Sequence, residues 1–306
     1  MQYLIITVDT EGDNLWRWKY GEKITTQNGE YIPRFQELCE DFGIPPTYLT
    51  NYEMALDPFW VNYGKRKVQE NKCEIGMHLH AWNTPPEFPL ENRYGGNSYI
   101  TEYDEDIIRQ KVSTLGSLLS QTFEIDITSN RSGRWATNEV YFHSLVDQGV
   151  FVDCSVTPGL NLSKIPGCSL NCGNDYREYG HSPFEIFPGL LEVPMTTKRL
   201  RFNTRYGIKQ FIRTLIKGED MWLRPIPKNE RTMRSFTQSA LKKYGYIELM
   251  LHSSELMPGG SPYFQTAESI EHLYSVLREY FTTLMDYGIK AISLSQYAKE
   301  YGASND

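Results

Sequence analysis

Residues 3–13 read YLIITVDTEGD, and this stretch decides the architecture. A run of apolar and β-branched residues enters a strand at once and then delivers three carboxylates, Asp9, Glu11 and Asp13, at its exit. Gathering acids where a buried strand ends is costly unless something positive meets them, so a metal ion, a proton or an arginine is expected there. Side chains two apart on a strand point the same way, which sets Asp9 and Glu11 on one face. Asp13 would then turn toward arginine or solvent.

Outward from this strand, short apolar runs alternate with segments of helical period, the pattern of βαβ units and a mostly parallel sheet. YIPRFQELCEDFG (31–43) reads as the first helix, with Phe35 and Leu38 on one face and Gly43 as its stop. PPTYLTN and CEIGMHLH read as the second and third strands, and ISLSQY as the last strand-to-helix junction. DEDIIRQKVSTLGSLLSQ sets Ile107, Ile108, Val112, Leu115, Leu118 and Leu119 on one stripe, and SIEHLYSVLREYFTTLM does so with Ile270, Leu273, Leu277, Tyr280 and Leu284. The expectation is one α/β domain over 1–306 with elaborated loops, the Gly- and Pro-rich stretch at about 158–190 being an insertion. Sites in such folds gather at the C-terminal ends of the strands.

The totals narrow the class. With 306 residues the chain can bury a sizeable core, and barrels of this size often form one domain. A net charge of −7 argues against a general nucleic-acid binder. Five cysteines, an odd number scattered through a large chain, argue for a reducing compartment, and Cys168 and Cys172 in CSLNC read as two unligated loop thiols. The first residues carry no charged n-region or small-residue cleavage site, and no apolar run reaches the length of a membrane span, so a cytoplasmic protein with no integral membrane segment is expected.

The third strand repeats the design of the first. EIGMHLHAW (74–82) carries His78 and His80 two apart, so both imidazoles share a face and can grasp one ion. The plainer reading is that two histidines cap a polar pocket. Far downstream, YIELMLHSSELMPGG ends a strand in His252 and follows it with a Ser-Ser turn, leaving the imidazole at the same rim. NRSGRWATN supplies Arg131 and Arg134, either of which could neutralise Asp9 and keep it ionised, or simply be solvated.

In this order the motifs TVDTEGD, EIGMHLHAW, NRSGRWATN, VDCSVTP and LHSSELMPGGSPY resemble the polysaccharide deacetylases of the NodB-homology family, carbohydrate esterase family 4, and within it the branch found among lipopolysaccharide-biosynthesis proteins. The resemblance spans most of the chain. It implies a distorted (β/α) barrel of about seven strands with loop insertions, and an enzyme that uses one divalent metal, usually zinc, to remove N-acetyl or similar acyl groups from amino sugars of a surface polysaccharide or its precursor. By the same resemblance Asp9 is the general base. Thr10 stands where the metal-binding acid usually follows, so Glu11 takes that part. His78 is the first metal histidine, and Trp82 stands where the second is usual, so His80 replaces it. His252 protonates the leaving amine, Arg131 or Arg134 orients the base, and Asp153 in VDCS tunes the histidine. Two rival readings stand beside this one: a metal amidohydrolase acting on a small non-sugar C–N bond, and a carbohydrate-binding protein whose site has decayed, as the departures at Thr10 and Trp82 suggest. An open groove lined by Trp16, Trp18 and Trp82 would suit a glycan; a closed pocket would suit a small amide.

Basic side chains far outnumber acidic ones between 198 and 234, and GIKQFIRTLIKG (207–218) has the pattern of an amphipathic helix with a basic flank. That segment is read either as a solvated face or as a device that steers an anionic glycan.

Overall fold

The structure, a computed structural model, describes residues 1–19, 21–169, 173–200 and 219–303. Eleven strands are described: β1 (Tyr3–Thr10), β2 (Thr47–Thr50), β3 (Glu74–Leu79), β4 (Ser129–Ser132), β5 (Val152–Asp153), β6 (Phe184–Phe187), β7 (Leu190–Glu192), β8 (Thr197–Leu200), β9 (Glu219–Trp222), β10 (Tyr246–His252) and β11 (Lys290–Ala291). The helices are α1 (Ile32–Asp41), α2 (Pro58–Gln69), α3 (Glu105–Phe123), α4 (Glu139–Asp147), α5 (Glu230–Tyr244), α6 (Ala267–Asp286) and α7 (Leu294–Ala303). Among the described residues no helix is long and apolar enough to cross a membrane.

The main sheet has nine strands in the order β10-β1-β2-β3-β4-β5-β7-β6, with β11 paired to the start of β1. From β10 to β7 all seven neighbours run parallel, and β6 adds an antiparallel edge. This is the expected (β/α) barrel in distorted form. Its distortion lies after β7, where Pro194 offers no N–H to a ladder. There Leu223 N–H donates to Thr196 O at 2.9 Å, Met250 N–H to Leu223 O at 3.1 Å, and Tyr246 OH to Pro194 O at 2.6 Å, so irregular bonds bring the two edges of the sheet together.

The alternation of each strand sorts its residues. On β1, Leu4, Ile6 and Val8 join the large cluster packed against the helices, whose buried stripes on α3 and α6 contain Val112, Leu115, Leu119, Leu273, Leu277 and Leu284. Ile5 belongs instead to a second cluster with Leu49, Val152, Val193 and Tyr246, closed by Leu294 and Tyr297 of α7. Thr7 and Asp9 continue the face of Ile5. Both faces of β1 are thus covered, which is why the strand reads as a near-continuous apolar run. Register completes the rim: Asp9 is paired with His252 of β10, and His78 with Arg131 of β4. Within 158–190, Asn161 and Asp175 form an isolated bridge, and Leu162 and Tyr176 pack with Val156 as a small separate cluster.

Candidate metal centre

Glu11 leaves β1 with its backbone held from two sides. Asn28 Nδ2 donates to Glu11 O at 2.7 Å, and Glu11 N–H donates to Ser253 Oγ at 3.1 Å. Its side chain then meets the inward face of β3. Glu11 Oε2 lies 3.4 Å from His78 Nε2 and 3.2 Å from His80 Nε2, and the three residues offer ligand atoms all within 4.8 Å of one another. All three are buried. Thr10, by contrast, faces away, its hydroxyl donating to Val8 O at 3.0 Å.

The donor set suits a divalent metal, and the tautomers support it. His78 Nδ1 lies 2.9 Å from the Arg131 carbonyl, which can only accept, so the proton is on Nδ1 and the Nε2 lone pair faces Glu11. The buried His80 Nδ1 has no hydrogen-bond partner among the described residues. Its ring stacks on Trp82 with centroids 4.2 Å apart and lies close against Gly133, where a Cβ would fall 2.2 Å from His80 Cδ2. Burial pushes the His80 imidazole down despite Glu11, which keeps it neutral, the form that ligates. Burial also pushes His78 down, but Asp9 and Glu11 outweigh it and hold that ring above the ordinary value. For Glu11, the neighbouring imidazoles of His78 and His80 overcome a burial penalty and hold the carboxyl well below the carboxylate range.

Asp9 stands beside the triad. Its Oδ1 accepts from Arg131 Nη1 at 2.5 Å, and its Oδ2 lies 3.9 Å from His78 Nε2 and 3.8 Å from His252 Nε2. Burial raises its pKa, yet Arg131, then His78 and His252, hold it below the ordinary value. Arg131 itself is fully buried and also donates to Thr7 Oγ1 at 2.8 Å, to Cys154 O at 3.3 Å and, in a short contact, to Glu248. A residue of β4 reaching β1 and β10 across the sheet requires the curl.

The sequence left Arg131 and Arg134 as alternatives, and the structure brings only Arg131 to Asp9. At Arg134 and Trp135 the chain takes positive φ values of 57° and 54° and turns away. Arg134 then holds loop backbone, donating to Pro166 O at 2.9 Å and to Tyr99 OH at 3.0 Å. Asp13 meets neither arginine nor solvent: it is buried and accepts from Thr25 Oγ1 and Asn28 N. Asp153 does not touch His252. It accepts from Asn130 Nδ2 at 2.6 Å and Ser155 Oγ at 2.8 Å, with Glu192 beside it, and the groups at His252 are instead Arg224 and Glu255. Glu248, Arg224 and Glu255 were missed. Glu248 had a signal, since in YIELMLH it is the one acid of an apolar strand and lies four before His252, on the same face. Cys172 and, within the basic stretch, residues 201–218 with the expected helix at 207–218 lie outside the described residues.

Next to the triad opens a cleft of about 850 Å³ lined by Trp18, Trp82, Phe88, Glu53 and Asn83 among others. Trp16 is not in it; its ring packs on His252 with centroids 5.0 Å apart.

No family model and no curated protein matches the chain. Solved structures do. A protein from Mycobacterium smegmatis assigned as a polysaccharide deacetylase aligns with TM-score 0.58 at 14% identity over 99% of this chain and 91% of its own. A GH57 branching enzyme from Thermococcus kodakaraensis aligns with TM-score 0.58 at 10% identity over 98% of this chain and 71% of its own. A 4-alpha-glucanotransferase from Thermococcus litoralis aligns with TM-score 0.57 at 11% identity over 97% of this chain and 40% of its own. At these identities the likeness is one of fold, shared by proteins of different chemistry, and the donor set has to carry the functional argument.

Proposed function

We propose that the chain is a metal-dependent hydrolase that removes the N-acetyl, or a similar acyl, group from amino sugars of a surface polysaccharide or its precursor. The observation that carries this reading is the buried Glu11–His78–His80 triad with an arginine-clamped carboxylate, Asp9, beside it. Two imidazoles and a carboxylate are a donor set for zinc that leaves positions open to water and substrate. When bound, such an ion supplies a Lewis acid that polarises the amide carbonyl and acidifies water.

The chain's own residues supply the rest. Arg131 keeps Asp9 ionised and aims its free Oδ2 into the site, where it takes the proton of the attacking water. An amine leaves only when protonated, and Asp9 and His252, 3.8 Å apart, are the groups that can supply or stabilise that step. Against a decayed site, and despite the departures at Thr10 and Trp82, stands the grouping of Glu11 and His80 with His78, whose ligand atoms lie within 4.8 Å of one another. The aromatic and amide lining of the 850 Å³ cleft favours a sugar over a small cyclic amide, which needs less room.

The test is metal analysis of the purified protein together with acetate release from N-acetylated oligosaccharides, neutral and anionic. About one metal per chain and release of acetate are expected. Stoichiometric metal retained by a Glu11→Ala, His78→Ala, His80→Ala variant would remove the centre, and metal without acetate from any acetylated sugar would favour the small-amide reading.

A further inference from the structure

His252 ends β10 with Nε2 toward the site, 3.8 Å from Asp9 Oδ2 and 3.9 Å from Glu11 Oε1. Its other ring nitrogen meets a guanidinium at hydrogen-bond distance, with an acid farther off. Arg224 Nη2 lies 3.0 Å from His252 Nδ1 and donates to Glu255 Oε1 at 2.7 Å. Glu255 Oε2 is 3.8 Å from Nδ1 and already accepts from His252 N–H at 2.9 Å. The arrangement is enclosed: Arg224 is 6% exposed, and the rings of Trp16 and Tyr263 lie 6.0 and 5.6 Å from its guanidinium carbon.

A guanidinium only donates, so Nδ1 must accept with its lone pair. A neutral imidazole has one N–H, and here it falls on Nε2. The same reasoning gave His78 the opposite tautomer, because its Nδ1 meets a carbonyl. Two imidazoles of one site are thus set to opposite uses by what stands behind them. We propose that Arg224 is a positioning residue that fixes His252 as the Nε2–H tautomer, making His252 a hydrogen-bond donor to the reacting group and not a metal ligand.

Coordination through Nε2 would need the lone pair that the proton occupies, and a second proton at Nδ1 would be driven against the Arg224 N–H. Within the hydrolase reading, on which this step rests, the proton for the amine then comes from Asp9. As the new C–O bond forms, the water's proton passes to Asp9 Oδ2; as the C–N bond breaks, that proton passes to nitrogen. The amine leaves neutral, the acid product ionises to solvent, and His252 keeps its proton throughout while donating to the developing oxyanion.

The experiment is long-range proton–nitrogen NMR of protein labelled with ¹⁵N-histidine, metal-free and zinc-loaded, about two pH units above the ordinary histidine value of ~6.5. Signals are assigned against His252→Gln. In the wild type, His252 should show a protonated Nε2 and a bare Nδ1, unchanged by zinc, and His78 the reverse before zinc is added. Arg224→Met should let the proton move toward Nδ1 and Glu255 and lower acetate release by ~10-fold or more, the scale for partners that orient a ligand. Arg224→Lys, which also only donates, should restore the Nε2–H form. A wild-type His252 protonated on Nδ1, or one whose Nε2 becomes zinc-bound, overturns the proposal, as does an Arg224→Met protein with its tautomer unchanged. Because the wild-type spectrum needs no substrate, a protein that releases no acetate defeats the hydrolase reading and leaves the tautomer assignment standing.

Discussion

Replacing Glu53 by glutamine should stabilise the metal-free protein, and by more as the pH rises. Glu53 follows β2 and lines the cleft beside the triad. Its Oε1 accepts from Gly12 N–H at 3.1 Å and Asn51 Nδ2 at 2.5 Å, and its Oε2 from Asn83 Nδ2 at 2.6 Å. Burial pushes the carboxyl from 4.5 up to about 7, with Glu11 adding to the rise and hydrogen bonds from Asn51 and Gly12 opposing it. A raised carboxyl favours the folded state in its protonated form. Its contribution is complete below pH 4.5 and is lost as pH rises through about 7. The loss is about 1 kcal/mol at about pH 5 and about 3 kcal/mol at about pH 8, so the advantage of the variant should grow by ~2.5 kcal/mol between them.

Glutamine at 53 is neutral in both states and keeps most of the contacts. Its carbonyl can accept from Gly12 and Asn51, and its NH₂ meets Asn83, whose buried Oδ1 has no partner among the described residues and becomes the acceptor once that amide turns over. Any fixed cost of repacking cancels when the two pH values are compared. The assay is urea unfolding of wild type and Glu53→Gln with chelator present, since a cation at Glu11 would itself pull Glu53 down. A difference between the proteins that stays constant to within ~0.5 kcal/mol across this range would refute the assignment of Glu53 as a half-buried acid with a raised pKa.

Gly133→Ala should displace His80, because the added Cβ would fall 2.2 Å from its Cδ2, and should weaken zinc binding ~10- to 100-fold in a chelator competition while leaving circular dichroism intact. Arg131→Met strands Asp9 and Glu248 as buried acids and should cost ~3–5 kcal/mol in chemical denaturation, part of it recovered by adding Glu248→Gln; a cost under ~1 kcal/mol would mean the pair is not compensated as the structure has it. Asp9→Asn still offers Arg131 an oxygen, so it should fold and hold metal but lose turnover ~10²-fold or more, and undiminished acetate release would end its role as base.

What the sequence made legible is what a strand's period of two carries. Asp9 with Glu11, and His78 with His80, share a face because they are two apart, and the structure brings Glu11 and both histidines together. The choice between Arg131 and Arg134 had no such local signal. It turns on a strand that ends at Ser132 and on left-handed residues at Arg134 and Trp135, neither of them a glycine. Arg224 was less visible still. Its partner is 28 residues away, beyond helix α5 and at the far end of β10, and nothing in LRPIPKN marks an arginine that will end behind a histidine.

The largest blind spot was the inside of the curl, and the reason is physical. On β1 the outward residues Leu4, Ile6 and Val8 are apolar, so the strand reads as one hydrophobic run and hides the sequence Ile5, Thr7, Asp9 on the other face. β10 hides Tyr246, Glu248 and His252 in the same way behind Ile247, Leu249 and Leu251. Each strand therefore passes from an apolar floor closed by α7 to a polar rim, and Arg131 ties the two gradients together through Thr7, Asp9 and Glu248. Buried charges of this kind persist only when paired, so the fold cannot lose Arg131 and keep its interior, and the site cannot lose it and keep Asp9 ionised.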